Sequence, residues 1–211
     1  MSTGRAEDRG AAGDDSAGAS APRTLNLANV LTIVRLLLVP LFVVVLLLEG
    51  GQDTVWRYLA AGVFVAAALT DRIDGWVARR YGLVTDFGKM ADPIADKALI
   101  GAALLGLSVL AELPWWVTGL IIGRELGVTG LRFWVIRHGV IAASRGGKAK
   151  TAAQVVAITG FLLPLPAGLD PVRWVLMGLA LVLTVATGLD YLVRALRLRA
   201  GGRAAHAGSA E

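Results

Sequence analysis

Cysteine is absent from the 211 residues, so neither a disulfide framework nor a thiolate metal site can form. Histidine is nearly absent: His138 and His206 are the whole supply, which argues against histidine-based zinc chemistry. Charge is scarce as well, with 18% Asp, Glu, Lys and Arg against 55% hydrophobic residues. With a mean hydropathy of +0.64, the chain is too apolar for a soluble globule, and lipid must be the solvent for most of it.

The first 23 residues lack any apolar periodicity. They are rich in Ser, Gly, Ala, Asp and Arg, and offer little to offset the entropy of ordering them, so residues 1–23 read as a disordered cytoplasmic tail. The first apolar run begins only near Leu25 and is long, unlike the short core of a secretory signal, so the first helix is expected to be retained as an anchor. Ile33 to Leu48 carries one charge, Arg35, and with its flanks reaches the ~20 residues that cross a hydrocarbon core. The net charge of +5 and a pI near 10.1 could point to nucleic acid. The basic residues, however, fall in short clusters between apolar runs, the pattern of loops facing anionic lipid headgroups, so nucleic acid is excluded as a partner.

Apolar runs and their breakers predict an all-α, polytopic membrane protein of six transmembrane helices, at about 26–48, 55–79, 90–111, 114–137, 149–166 and 171–197. They form one domain over 24–199, followed by a disordered tail over 200–211. Arg and Lys cluster at the termini, between the second and third helices and between the fourth and fifth. The positive-inside bias puts those segments in the cytoplasm. Trp56, Trp115, Trp116 and Trp174 fall at the opposite ends, where amphipathic rings favour the interface. Gly119, Gly123 and Gly127 repeat at four-residue spacing along the fourth helix, which predicts close packing within the bundle, with a homodimer contact as the alternative.

Chemistry concentrates in Asp71-Arg-Ile-Asp74-Gly75-Trp-Val-Ala78-Arg79 and, eight residues on, Gly88-Lys-Met-Ala-Asp92-Pro-Ile-Ala-Asp96. Asp71 and Asp74 are three apart and Asp92 and Asp96 four apart, so each pair shares a helix face. Four neighbouring carboxylates without cations would repel in a partly desolvated site, and metal is the economical resolution. Oxygen-only ligands suit Mg²⁺ first and Mn²⁺ second, and Mg²⁺ completes its shell with water and phosphates. The structural alternative is that Asp92 caps a helix ahead of Pro93 while Asp71 or Asp74 pairs with Arg72, Arg79 or Arg80.

The run matches D-x2-D-G-x2-A-R-x8-G-x3-D-x3-D without a departure, and so resembles the CDP-alcohol phosphatidyltransferase family. The resemblance implies a cytoplasm-facing active-site cavity with two metal ions. One is held by Asp71, Asp74 and Asp92, the other by Asp71, Asp92 and Asp96, and Asp96 doubles as the general base. It also implies a CDP-lipid site at Gly75, Ala78, Arg79, Thr85 and Gly88. Small side chains at 75 and 78 leave room for a nucleotide against the helix.

Two further stretches bear on the acceptor. Asn29, Thr32 and Arg35 share one side of the first helix, in a pattern similar to the bacterial branch of that family whose acceptor is sn-glycerol 3-phosphate. By that resemblance Asn29 and Thr32 join the CDP-lipid site; a polar interfacial start to a spanning helix would look the same. The stretch from Trp115 through Arg124, Glu125 and Arg132 to Lys148, Lys150, Thr151 and Gln154 resembles the same branch. Cations and a hydroxyl opening the fifth helix make a phosphate site, with Arg124, Arg132, Lys148, Lys150 and Thr151 as candidates. A Glu125–Arg132 ion pair beside a solvated basic loop is the plainer reading.

The expected activity is transfer of the phosphatidyl group of CDP-diacylglycerol to sn-glycerol 3-phosphate in the cytoplasmic membrane. Family members that use inositol phosphate or phosphatidylglycerol are the near rivals. A Mg²⁺ channel or transporter is the distant one, and it would need carboxylates near mid-membrane.

Overall fold

The structure is a computed structural model. It describes the backbone of residues 27–81, 86–135 and 145–207, and the side chains within those segments except 27–29, 31–32, 71–81, 86–93, 96, 132–135, 145 and 199–207. Among the described residues the fold is all-helical, with no strand. Its helices are α1 (Leu27–Leu47), α2 (Thr54–Tyr81), α3 (Asp86–Val109), α4 (Trp115–Val135), α5 (Arg145–Leu162) and α6 (Asp170–Ala207). Short 3₁₀ turns, Leu48–Gly51 and Ala167–Leu169, lead into α2 and α6.

Local chemistry accounts for the helix ends. Asp53 caps α2, its Oδ1 accepting from the amides of Val55 (2.9 Å) and Trp56 (3.1 Å). The turn before it runs through Glu49, Gly50 and Gly51 with φ of 50°, 64° and 70°. A Cβ at Gly51 would lie 2.5 Å from Leu110 Cδ1, so glycine satisfies both the backbone and the space there. α5 ends at Leu162, short of the expected residue 166, because Pro164 and Pro166 cannot continue it. α6 runs on to Ala207, where a tail had been expected from residue 200; the Ala-rich, proline-free stretch carries the helix further. α3 starts at Asp86, not 90, so Asp92 and Pro93 lie inside the helix and the capping alternative for Asp92 is removed.

α1 packs on α2 and α3, α2 on α3 and α5, α3 on α4 and α5, and α6 on α4 and α5. The core is built from Phe42 and Leu46 of α1, Phe64 of α2, Leu99, Leu104 and Leu107 of α3, Val117 and Ile121 of α4, and Ile158 and Phe161 of α5. Phe42 and Phe64 meet with ring centroids 5.6 Å apart.

Polarity is inverted relative to a soluble bundle. Arg35, Arg57, Lys150, Gln154 and Thr184 are buried, while Leu37, Leu41 and Val44 of α1 and Val172, Val175, Leu179, Val182 and Leu189 of α6 form exposed apolar stripes. Water would penalise such stripes; hydrocarbon does not. Among the described residues two stretches are long and apolar enough by themselves to cross a membrane, Ile33–Gly51 and Ala167–Leu198. Trp115, Trp116 and Trp174 are exposed at the starts of α4 and α6.

The glycine stripe of α4 departs from expectation. A Cβ at Gly119, Gly123 or Gly127 would meet nothing within 4 Å, so among the described residues no neighbour uses these glycines for close packing. α4 turns its other faces to α3 and α6.

At the tryptophan end, Arg57 ties three separate segments together. Its guanidinium pairs with both carboxylate oxygens of Glu112, at 2.5 and 2.8 Å, and donates to the carbonyls of Phe161 (2.5 Å) and Leu162 (3.0 Å) at the end of α5. Glu112 is delivered by the α3–α4 turn, where Ala111 has φ 59° and the Glu112 amide bonds to Leu107 O.

Candidate active site

The four aspartates lie on helical backbone at facing ends: Asp71 and Asp74 in the C-terminal part of α2, Asp92 and Asp96 in the N-terminal part of α3. α2 and α3 pack on each other, and five Cα steps from Tyr81 to Asp86 keep their ends within roughly 18 Å. Both pairs therefore belong to the end of the bundle away from Trp115 and Trp174. The side chains of Asn29, Thr32, Asp71, Asp74, Gly75, Ala78, Arg79, Gly88, Asp92, Asp96 and Arg132 lie outside the described residues, as does all of Thr85.

Alongside, between α3, α4 and α5, is a cavity of about 70 Å³. Its polar wall consists of Lys97, Glu125, Lys150, Thr151 and Gln154, and its apolar wall includes Ile100, Leu104, Ile121 and Leu126. Ile100 and Leu104 continue the four-residue register of Asp92 and Asp96 along α3, so the cavity begins one turn from Asp96.

The polar wall is wired together. Lys150 donates to Glu125 Oε1, and Arg124 Nη1 reaches the same oxygen at 3.1 Å. Lys97 donates to Thr129 Oγ1, which in turn donates to the Glu125 carbonyl at 2.7 Å. Gln154 Nε2 donates to Thr184 Oγ1 at 3.0 Å. Lys150, only 5% exposed, is a cation held in the interior by a carboxylate.

The structure brings Lys150 and Thr151 to the cavity and leaves Lys148 exposed beside it. Because α5 begins at Arg145 and not near residue 149, Lys150 and Thr151 sit in its second turn, past the amides a helix N-terminus leaves open. Anion binding there rests on side chains. Arg124 is not on the cavity wall; it reaches α6, bonding the Thr184 carbonyl (3.0 Å) and Thr187 Oγ1 (2.8 Å). Glu125 finds its described partners in Arg124 and Lys150; a pair with Arg132 falls on a side chain outside the described residues.

Lys97, Thr129, Thr184 and Thr187 were not singled out from sequence. Lys97 directly follows Asp96, and Thr184 and Thr187 stand three apart in an apolar helix, signals that could have marked them.

A helical bundle with apolar outer stripes, several buried charged side chains and four aspartates at one end is what a membrane protein would present. The pattern of comparison is specific. A family model described as CDP-alcohol phosphatidyltransferase matches residues 25–186. The chain is 56% identical over 175 residues to the "Probable phosphatidylglycerophosphate synthase" of Mycobacterium tuberculosis (strain CDC 1551 / Oshkosh), covering 83% of this chain and 84% of the relative. It is 38% identical over 179 residues to the CDP-diacylglycerol–glycerol-3-phosphate 3-phosphatidyltransferase of Bacillus subtilis (strain 168), covering 79% and 93%. The protein of the same name from Rickettsia typhi is 40% identical over 174 residues, covering 79% and 94%. The chain belongs to the CDP-alcohol phosphatidyltransferase family, which is membrane-integral and generally dependent on divalent metal.

Proposed function

We propose that the chain transfers the phosphatidyl group of CDP-diacylglycerol to sn-glycerol 3-phosphate, releasing CMP and phosphatidylglycerol phosphate for phospholipid synthesis. The names of its relatives support the reaction. The observation that carries the choice of acceptor is the cavity holding Lys97, Lys150 and Thr151, one helical turn from Asp96. A phosphate dianion needs cations and hydroxyl donors, and the hydroxyl it carries needs to reach a base nearby.

The donor set fits the metal that the family requires: four carboxylates, gathered at one end of two packed helices, with oxygen ligands only. Asp71, Asp74, Asp92 and Asp96 would hold two Mg²⁺, or Mn²⁺, ions. When bound, these ions supply charge neutralisation for the diphosphate and polarise the phosphorus. Asp96 accepts the proton of the glycerol 1-hydroxyl as that oxygen attacks the lipid-linked phosphorus, and CMP leaves in a direct displacement. Arg79 binds phosphoryl oxygens, while Asn29, Thr32, Gly75, Ala78, Thr85 and Gly88 shape the CDP-lipid site. Lys150 and Thr151 hold the acceptor phosphate, with Lys148 and Arg132 at the rim and Arg124 behind.

All six helices cross the bilayer in this reading, with both termini and the cavity in the cytoplasm and the exposed tryptophans at the far interface. The shortest helix, α5 with 18 residues, is about 27 Å long, close to the ~30 Å hydrocarbon thickness. The clusters at Arg145, Lys148 and Lys150 and at Arg194, Arg197 and Arg199 support that orientation.

The test is to incubate purified protein with CDP-diacylglycerol, Mg²⁺ and separate acceptors, and to identify the lipid formed. Phosphatidylglycerol phosphate from glycerol 3-phosphate is expected. Product only from inositol phosphate or phosphatidylglycerol would overturn the acceptor assignment. Full activity in Asp96→Asn would overturn the base.

A further inference from the structure

Among the described residues α6 contributes nothing to the wall of the cavity, yet Gln154 of that wall and Arg124 behind it both end on α6. Among the described residues the backbones of α4 and α5 do not approach each other; each packs on α6. The junction is a notch formed by Thr184, Thr187 and Gly188. Arg124 lies across it, bonded to the Thr184 carbonyl at 3.0 Å and to Thr187 Oγ1 at 2.8 Å. A Cβ on Gly188 would stand 3.1 Å from both Cγ and Nε of that arginine. From the other side Gln154 of α5 reaches Thr184 Oγ1, which bonds back to the Ala180 carbonyl at 2.6 Å.

We propose that the Thr184, Thr187 and Gly188 notch of α6 is a positioning element for the acceptor: it seats Arg124, Arg124 steadies Glu125, and Glu125 holds Lys150 at the cavity. The proposal rests on the cavity being the acceptor-phosphate site, and adds that acceptor affinity is set by a helix that never touches the acceptor. Two cations share one carboxylate, so the cluster keeps a net positive charge, the sign a phosphate dianion needs. Glycine at 188 gives Arg124 room: a Cβ there would be a tight contact that the arginine would have to yield to. Its stem is pinned by hydrogen bonds at Nε and both terminal nitrogens, and a methyl group there displaces it by a few tenths of an ångström.

The experiment measures initial rates of the full chain in mixed micelles, varying glycerol 3-phosphate and CDP-diacylglycerol in turn. Gly188→Ala is expected to raise the KM for glycerol 3-phosphate roughly three- to tenfold, because sub-ångström misplacement weakens binding in that range. The KM for CDP-diacylglycerol and the kcat stay within twofold, by about the margin that separates a positioning effect from a general one. Thr187→Val should reproduce the rise and Thr187→Ser should reverse it, and this pair carries the test if Gly188→Ala fails to accumulate. Equal rises in both KM values, or a fall in kcat alone, would overturn the positioning role. Lys150→Ala separates the two claims. If it raises the acceptor KM while Gly188→Ala and Thr187→Val do not, only the notch proposal fails. If Lys150→Ala leaves that KM unchanged, the cavity assignment fails and takes the notch with it.

Discussion

Replacing Glu112 with Gln removes the charge that faces Arg57 while keeping the shape of the side chain. Arg57 is 5% exposed and Glu112 26%, so the guanidinium would remain buried and charged, facing the carbonyls of Phe161 and Leu162 and a neutral amide. Breaking a buried ion pair from one side costs about 3–5 kcal/mol. The two carbonyls still solvate the cation and the glutamine can still accept one bond, which places Glu112→Gln near the lower bound, about 3 kcal/mol. For a chain of this size, 1 kcal/mol moves the midpoint by about 2–4 °C, so Tm should fall by about 6–12 °C. The assay is thermal unfolding in detergent followed by tryptophan fluorescence, since Trp56, Trp115, Trp116 and Trp174 mark the same end of the bundle. Arg57→Met should also destabilise, but the double variant should be no worse than Arg57→Met alone, because no stranded charge remains. A wild-type Tm for Glu112→Gln, or strictly additive losses in the double variant, would refute the reasoning. Arg57 is 14 residues, roughly 21 Å of helix, from Asp71, so KM values measured well below Tm should not move.

Removing divalent cations with EDTA should abolish CMP release, and Mg²⁺ should restore it; turnover that survives chelation would contradict the carboxylate site. Gly51→Ala should lower stability by about 1–2 kcal/mol through the left-handed backbone, with a further push on Leu110, read as a lower Tm with unchanged substrate KM. Val182→Arg, at a position 65% exposed near the middle of the outer stripe of α6, should reduce membrane insertion by about 2.5–3.5 kcal/mol. Normal insertion with that arginine would argue that the stripe does not face lipid.

The helices were legible because lipid removes alternatives: long apolar runs separated by Gly, Pro and charge can only be spanning or buried helices. Their order and most of their limits follow from that alone. Several limits differ from expectation, two of them for opposite reasons. Asp92-Pro93 looked like a helix start because proline is at home there, yet α3 tolerates it within. Ala200 to Ala207 looked like a tail because Gly201 and Gly202 disfavour a helix, yet α6 continues through them into the alanines beyond. The aspartate signature was legible as local spacing. The Arg57–Glu112 pair was not, because its members are 55 residues apart and neither belongs to a motif. The role of α6 was hidden for a related reason: two threonines and a glycine in an apolar helix carry no signal until Arg124 is seen lying on them.

The carboxylate that Lys150 shares with Arg124 also bears on how the chain is made. Alone in hydrocarbon, α5 would carry an ammonium in its second turn and an amide one turn deeper, and the lysine would escape the full mid-helix cost only by reaching back to the interface. Glu125 is synthesised 25 residues earlier, on α4, and Thr184 30 residues later, on α6. In the six-span reading proposed above, placing this segment is a collective event: α5 settles when its predecessor is waiting and its successor arrives, and a ribosome stalled between Leu162 and Thr184 would leave it poorly anchored.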